Sequence, residues 1–226
     1  MRTANIASFP SREKCLLRML ASIKGQFDRV NVYWNGDDAA FIPDWVYVTT
    51  SAVDGDLTDL GKFRFLTGYG NAPQYYFTLD DDIIYPRTYA DDMVAAIDEN
   101  ECIVTHHGRR LIGKGRKYYS GHNLFRCLAE NMYDEIVDVG GTGVMAFHTD
   151  YFRPLIWRDP RHKMADLVFA EAAAIAKKDI LCLEHSADYF GYTKPPQTIH
   201  DTEQHNQQRL IDVADRIIDL QFDVNE

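Results

Sequence analysis

Short apolar runs rich in β-branched and aromatic residues recur along the first part of the chain. Three of them predict strands, at residues 3–7, 29–34 and 45–49. Between the first two, apolar residues recur with the spacing of an amphipathic helix, at Leu16, Met19, Leu20 and Ile23. Ser11 is a suitable N-cap for this helix. The order strand, helix, strand, strand predicts an α/β fold.

The next apolar run, Gln74 to Leu79, predicts a buried strand and ends in three carboxylates, Asp80, Asp81 and Asp82. Three adjacent acids repel one another, so we expect them at the mouth of a sheet rather than in a core. If strand alternation continues, Asp80 and Asp82 share a face and Asp81 points away. Such a pair suits a hard divalent cation, Mn²⁺ or Mg²⁺, that binds phosphate oxygens. The alternative is a solvated acidic turn.

Alternating helical and extended patterns continue through the rest of the chain. Helices are predicted after Thr88, from Met164 to Lys178 and from Gln204 to Leu220, and strands at residues 101–105 and 180–183. A glycine-rich turn between Val137 and Phe147 enters another strand, and its glycines let the backbone approach a ligand closely. No helix follows this turn directly, which excludes a Rossmann fingerprint or a P-loop there.

A basic segment interrupts this otherwise acidic chain. Five positive side chains lie within nine residues, at Arg109, Arg110, Lys114, Arg116 and Lys117. One interpretation is a solvated loop. The other is a lid or acceptor loop that meets phosphate or another anion, with Tyr118 and Tyr119 as a stacking surface beside it.

Composition narrows the class of protein. The 226 residues suffice for one large domain, and no linker or repeat divides them. A net charge of −10 argues against non-specific nucleic-acid binding, so no nucleic-acid partner is expected. The four scattered cysteines predict reduced thiols in a cytoplasmic protein. No signal-peptide pattern and no run of roughly 20 apolar residues is present, which leaves only peripheral membrane contact open.

Six segments occur in an order that resembles the GT-A fold glycosyltransferases, near the family 2-like enzymes. They are Ala7–Arg12, Val32–Gly36, Asp59–Phe63, Leu79–Asp82, Gly141–Gly143 and Ala165–Asp166. The resemblance implies a single GT-A domain over residues 1–226, with a mixed, mostly parallel sheet flanked by helices. It also implies a nucleotide-sugar-binding half at about 1–100 and an acceptor-binding half at about 101–226. The expected reaction is hexosyltransferase-like transfer to a hydroxyl of a glycan, glycolipid or other polymer.

The same resemblance assigns roles to individual residues. It implies a nucleotide-sugar donor, with a UDP-sugar favoured, and a Mn²⁺ or Mg²⁺ cofactor. The acceptor would be a saccharide or another molecule with a hydroxyl, anionic acceptors included. Donor-binding residues would be Pro10, Ser11, Arg12, Asn35, Asp37, Lys62, Asp80, Asp81, Gly141 and Thr142. Asp80 and Asp82 match the D-x-D metal motif, and His200, preferred to His205, would complete the metal site. Asp166 falls where inverting members place the catalytic base, although Ala165 replaces the acid that usually precedes it.

Two other classes of protein remain alternatives. A metal-dependent nucleotidyltransferase also uses paired acids on an α/β sheet, but it usually carries an N-terminal glycine-rich basic loop. The segment Ser8–Arg12 contains no glycine. A non-catalytic carbohydrate-binding or scaffold module would leave Lys62, Asp166 and the pair Asp80 and Asp82 without a joint purpose.

Overall fold

The computed structural model describes residues 1–67, 72–196 and 207–222. Its strands, in chain order, are β1 Arg2–Ser8, β2 Arg29–Trp34, β3 Tyr47–Thr50, β4 Tyr75–Leu79, β5 Ile83–Ile84, β6 Ile103–Thr105, β7 Gly108–Arg110, β8 Asn123–Phe125, β9 Glu135–Val137, β10 Val139–Gly140, β11 Val144–His148, β12 Ile180–Cys182 and β13 Gly191–Tyr192. The α-helices are α1 Glu13–Ile23, α2 Ser51–Asp54, α3 Tyr89–Asn100, α4 Ala165–Ile175 and α5 Gln207–Phe222. Two 3₁₀ helices span Pro10–Arg12 and Thr58–Thr67.

Eight strands form the central sheet, in the order β3-β2-β1-β4-β11-β6-β12-β9. The four at one side, β3 to β4, run parallel, and β11 inserts antiparallel between β4 and β6. Strands from both halves of the sequence therefore share one sheet. The prediction of an α/β fold with a mixed central sheet is confirmed.

Helices cover both faces of this sheet. Side chains alternate along β11, so Met145 and Phe147 face one core while Val144 and Ala146 face the other. Helices α4 and α5 pack together over the first core, and α1 and α3 contribute buried residues to the second. In the described ranges no helix is long and apolar enough to cross a membrane.

Register brings the ends of three parallel strands to one edge of the sheet. Ile6 of β1 pairs with Leu79 of β4, and Ser8 of β1 pairs with Trp34 of β2. Loops that leave these strands therefore start side by side, where open α/β sheets bind ligands. This edge carries Asp80 directly after β4.

Most predicted elements occur, with corrections at their ends. Ser11 is not the N-cap of α1, because it lies within the 3₁₀ turn that the Arg12 N–H closes onto the Phe9 carbonyl. Thr88 does occupy the N-cap position of α3, but its hydroxyl donates to Asp92 rather than to the helix backbone. The strand at β12 is followed by a short β13, which the sequence did not indicate.

Candidate functional site

A buried lysine and the first acid of the triplet form an ion pair at the sheet edge. Lys62 Nζ donates to Asp80 Oδ1 and, at 3.3 Å, to the Thr142 carbonyl. Gly61 lets the 3₁₀ helix that carries Lys62 approach β2, since a Cβ there would lie 2.7 Å from the Tyr33 ring. This close contact fixes the position of Lys62.

The Lys62–Asp80 pair keeps both groups charged. Burial lowers the pKa of the Lys62 ammonium, but the nearby carboxylates, Asp80 first and then Asp166 and Asp59, together outweigh it, and the net pKa is raised. Desolvation by the protein raises the pKa of Asp80, but Lys62, with smaller effects of Arg12 and His107, outweighs it, and the net pKa is lowered. About 47% of the Asp80 side chain remains exposed. The carboxylate is thus ionised and open to a ligand.

Arg12 holds the other two acids. Its guanidinium lies 2.8 Å from Asp82 Oδ2 and 3.4 Å from Asp81 Oδ1, and Ser8 Oγ donates to Asp81 at 2.6 Å. The expected grouping, with Asp80 and Asp82 on one face and Asp81 pointing away, is not observed, because Arg12 contacts both Asp81 and Asp82. Strand β4 ends at Leu79, so its alternation does not extend to the acids. Asp81 is instead buried.

Burial makes these two acids hard to ionise. It raises the pKa of Asp81 to about 7, against the opposing effects of Arg12 and the Ser8 hydroxyl. The pKa of Asp82 is also raised, first by burial and then by the neighbouring Asp80 carboxylate. Crowded carboxylates whose charge is disfavoured in this way would be stabilised by a cation.

A cavity of about 490 Å³ opens over this acidic edge. Of the residues predicted to bind the donor, its lining includes Pro10, Arg12, Asn35, Lys62, Asp80 and Asp81. Ser11 and Asp37 do not line it, and both are exposed. Five carboxylates and three basic side chains line the cavity, so its formal charge is negative.

Asn35 reaches this cavity, but its polar atoms already tie loops together. Its Nδ2 donates to the carbonyls of Ser8 and Thr58, at 3.3 and 3.1 Å, and its Oδ1 accepts from the Leu57 N–H at 3.1 Å. The Asn35 side chain therefore shapes the wall of the cavity through hydrogen bonds to the backbone of neighbouring segments.

A second cavity of about 270 Å³ adjoins the first and shares Asp59, Lys62, Asp80 and Lys163 with it. It adds Thr142 and Asp166, which the sequence placed in the site. Gly141 does not line the second cavity. A Cβ at position 141 would lie 2.8 Å from the His107 Cβ, so a glycine there lets the His107 loop pack closely. Arg109, Tyr118 and Tyr119, which one interpretation of the basic segment placed in a lid or acceptor loop, also line this cavity. His107 lines it as well and was not predicted as a site residue.

Asp166 is oriented by Thr142. The Thr142 N–H and hydroxyl both donate to Asp166 Oδ1, at 2.8 and 2.7 Å. Within the described part of the chain, Asp166 Oδ2 accepts no hydrogen bond. One oxygen of the carboxylate is thus anchored and the other is left for a ligand.

Asp59 is a site residue that the sequence reasoning missed. Its carboxylate accepts from the backbone N–H groups of Lys163, at 2.8 Å, and Ala165, at 2.9 Å. The second bond satisfies the N–H of the first residue of α4, and the two together fix the turn before Asp166. Lys163 adopts a positive φ of 62°, which this pairing supports. Its partners lie 104 and 106 residues further along the chain, so no local pattern marked it.

Gly143 is a second missed residue. A Cβ there would lie 2.0 Å from Asp80 Oδ2, so the Asp80 side chain occupies the space that any other residue would need. Glycine at this position is required for the observed orientation of Asp80.

The basic segment divides into residues with different surroundings. Arg109 is buried in the second cavity. Arg110 pairs with Glu135 at 3.2 Å and Lys114 pairs with Asp219, so both belong to surface ion pairs. Arg116 and Lys117 are exposed. The solvated-loop interpretation fits these four residues, and Arg109 is the exception.

The acids at the sheet edge could hold a divalent cation together with a ligand. Asp80 and Asp82 each use one oxygen for a basic side chain, which leaves Asp80 Oδ2 and Asp82 Oδ1. Among the residues the structure describes, no cluster of three or more His, Cys, Asp or Glu side chains is arranged to hold a metal. The predicted third ligand, His200, lies outside the described residues. Two carboxylates completed by phosphate oxygens and water are a usual Mg²⁺ site.

Comparison with known proteins does not place the chain in a family. No protein-family model matches it, and no curated protein matches it significantly.

Proposed function

We propose that this protein is a metal-dependent glycosyltransferase that moves a sugar from a nucleotide-sugar donor to an acceptor hydroxyl. One observation carries the proposal. Asp80 lies where two cavities meet, with the remaining acids and Arg12 in the first and Asp166 in the second. A transfer reaction needs this arrangement, with a leaving-group site and a base on either side of the reacting centre.

The first cavity suits a nucleoside diphosphate. Its volume falls within the range of small-molecule sites. Phe9 and Pro10 offer apolar surface at one side, while Arg12 and Lys62 bring positive charge to the acidic edge. We assign Pro10, Arg12, Lys62 and the three acids to the donor, and a UDP-sugar remains the preferred candidate.

Asp80 and Asp82 are the groups that would hold Mn²⁺ or Mg²⁺. A divalent ion bound there would neutralise charge that develops on the departing nucleoside diphosphate. Lys62 orients Asp80, and Arg12 orients Asp82. Both cations also offset the repulsion among the three acids, so they preorganise the site before a ligand binds.

Asp166 acts as the general base in this proposal. Its Oδ2 would accept the proton of the acceptor hydroxyl while that oxygen attacks the anomeric carbon. Thr142 holds Oδ1 and thereby fixes the direction of Oδ2. Attack from the side opposite the leaving group would invert the anomeric centre.

We also propose a cytoplasmic location. The four cysteines are free thiols, two of them buried, as is usual in a reducing compartment. The membrane contact left open by this proposal would be peripheral.

Ligand-induced stabilisation tests the proposal directly. Melting temperatures should be measured with UDP, GDP, ADP and CDP, each with and without Mn²⁺. A nucleotide at 100 times its dissociation constant should stabilise the protein by about 2.7 kcal/mol. Stabilisation by one diphosphate that requires Mn²⁺ supports the donor site, and release of sugar from the matching nucleotide-sugar would then show the activity. If none of the four nucleotides raises the melting temperature with Mn²⁺, the proposal is wrong.

A further inference from the structure

Arg109 is a buried cation in the second cavity, and the part of the chain that the structure describes gives it no carboxylate partner. Arg109 is only 8% exposed. The one hydrogen bond of its guanidinium within the described residues goes to the Tyr118 hydroxyl, at 3.2 Å. A buried charge without a counter-ion is costly unless something compensates it.

The surroundings of Arg109 keep its guanidinium in a fixed place. Its guanidinium carbon lies 4.4 Å from the centre of the Tyr118 ring and 5.7 Å from that of Tyr119. Its backbone belongs to the middle strand of the sheet β10-β7-β8, where it pairs with Val139 on one side and Leu124 on the other. Rings and strand together hold the charge in position without neutralising it.

The acids of the same cavity are engaged elsewhere. Asp80 pairs with Lys62, and Asp59 accepts backbone N–H groups at the start of α4. Asp166 has its Oδ1 occupied by Thr142. In the part of the chain that the structure describes, none of these carboxylates lies within ion-pair distance of the Arg109 guanidinium. The guanidinium is therefore available to an anion that enters the cavity.

We propose that Arg109 binds an anionic group of the acceptor, a carboxylate or a phosphate. This inference rests on the proposed function, in which the acceptor hydroxyl reaches Asp166 in this cavity. An acceptor in contact with Asp166 lies in the same 270 Å³ space as Arg109, so its anionic group needs only the span of a small molecule to reach both. Planar guanidinium groups recognise carboxylate and phosphate oxygens through paired hydrogen bonds.

Arg110 provides a matched control. It is adjacent in sequence and has the same chemistry, but it lies outside both cavities and pairs with Glu135. Loss of its charge changes the net charge of the protein as much as loss of the Arg109 charge does. A difference between the two variants therefore reports on the cavity rather than on general electrostatics.

Binding of matched small sugars tests the proposal without turnover. The probes are methyl β-glucuronide, glucose 6-phosphate and the neutral methyl β-glucoside, titrated by calorimetry or ligand-observed NMR in the presence of UDP or GDP with Mn²⁺. We expect at least one anionic probe to bind about tenfold or more tightly than the neutral sugar, since a charge-assisted bond is lost with the latter. The carboxylate and phosphate probes show which anion is preferred.

Variants then assign the preference to Arg109. Arg109→Gln should remove the tenfold preference, Arg109→Lys should retain part of it, and Arg110→Gln should leave it unchanged. Melting temperatures identify a variant that fails to fold, in which case the lysine variant carries the test. Equal binding of neutral and anionic probes, no binding of any anionic probe, or a preference that survives in Arg109→Gln would overturn the proposal.

The outcomes also separate this inference from the proposed function. Nucleotide binding with Mn²⁺ but no anion preference refutes the Arg109 subsite and leaves the glycosyltransferase proposal standing. An anion preference that depends on Arg109, in a protein that binds none of the nucleotides, refutes the glycosyltransferase proposal instead.

Discussion

Thr142 donates two hydrogen bonds to one oxygen of Asp166, from its backbone N–H at 2.8 Å and from its hydroxyl at 2.7 Å. The pair joins the glycine-rich turn before β11 to the first turn of α4. Two donors on one oxygen hold the carboxylate in place, so the position of its second oxygen is defined in a residue that lines the second cavity. The Ala165 N–H at the start of α4 already donates to Asp59, so the Asp166 carboxylate is not needed to cap that group.

Asp166→Asn should separate chemistry from structure. The amide oxygen can still accept both Thr142 bonds, so the melting temperature should change little. Asparagine cannot take up a proton usefully at neutral pH, and transfer should fall by about 10²–10⁴ if general-base catalysis is lost. Steady-state transfer and nucleotide binding, measured side by side, check this, and binding should be retained.

Glu171→Gln is the matched control in the same helix. Glu171 pairs with Arg161 and Arg216 and lines neither cavity. Its variant should transfer sugar at the wild-type rate, although it is expected to melt at a lower temperature. Near wild-type transfer by Asp166→Asn would remove Asp166 from the mechanism.

Asp82→Asn tests the metal assignment. The variant keeps an oxygen for Arg12 but loses the charge that a cation requires. We expect the Mn²⁺-dependent affinity for the nucleoside diphosphate to fall by about tenfold or more, as losses at metal sites typically do. Calorimetric titrations of the nucleoside diphosphate with and without Mn²⁺ measure this affinity.

Asp91→Asn controls for the loss of a negative charge, since Asp91 is exposed and pairs with Arg2 far from both cavities. It should bind nucleotide as the wild type does. The same Mn²⁺ dependence in Asp82→Asn and in the wild type would show that Asp82 is not a metal ligand.

Gly143→Ala should disturb Asp80 through space. Its new methyl group would lie 2.0 Å from Asp80 Oδ2, so the carboxylate must move. Nucleotide affinity in the presence of Mn²⁺ should therefore fall about as far as in Asp80→Ala. In a double variant with Asp80→Ala, the glycine substitution should cost little more, because the Oδ2 and Cγ atoms at 2.0 and 2.4 Å are absent and only the Cβ, at 3.0 Å, remains. Additive losses in this cycle would contradict the steric explanation.

The fold was predictable because it depends on local periodicity. The strand at residues 29–34 and the buried face of α1 follow directly from apolar spacing. The strand predicted at 45–49 begins two residues and ends one residue before β3, since Trp45 precedes the segment that pairs with β2. Ends of elements depend on tertiary contacts that a pattern does not contain.

The site was predictable only where a residue type is unusual for its position. Three acids after an apolar strand are unusual, so the sequence indicated Asp80 and Asp82 as candidate site residues. Asp59 and Gly143 act through neighbours that are distant in sequence, Ala165 and Asp80, and no local pattern marks them. Arg109 was visible only as one charge among five, because its burial depends on Tyr118 and on the small sheet around β7.

A buried histidine gives the protein a defined sensitivity to acid. His106 is 3% exposed, stacks on Tyr189 with ring centres 5.1 Å apart and packs edge-on against His185 and Phe190. Its Nδ1 has no hydrogen-bond partner among the described residues. Burial, and next the neighbouring His185, lower the pKa of His106 to about 3.

His106→Phe should therefore flatten the acid limb of the stability curve. The unfolded chain takes up a proton at this imidazole below about pH 6.5, whereas the folded protein does so only near pH 3. Stability is thus lost as the pH falls from about 6.5 towards 3, by up to about 1.4 kcal/mol per pH unit from this group. Urea unfolding between pH 7.5 and 4 should show a shallower decline in the variant, since phenylalanine suits the aromatic cluster and binds no proton. Tyr189→Phe changes the stacked ring but keeps the imidazole, so it should retain the wild-type slope. Equal slopes in His106→Phe and the wild type would show that His106 is not the group responsible.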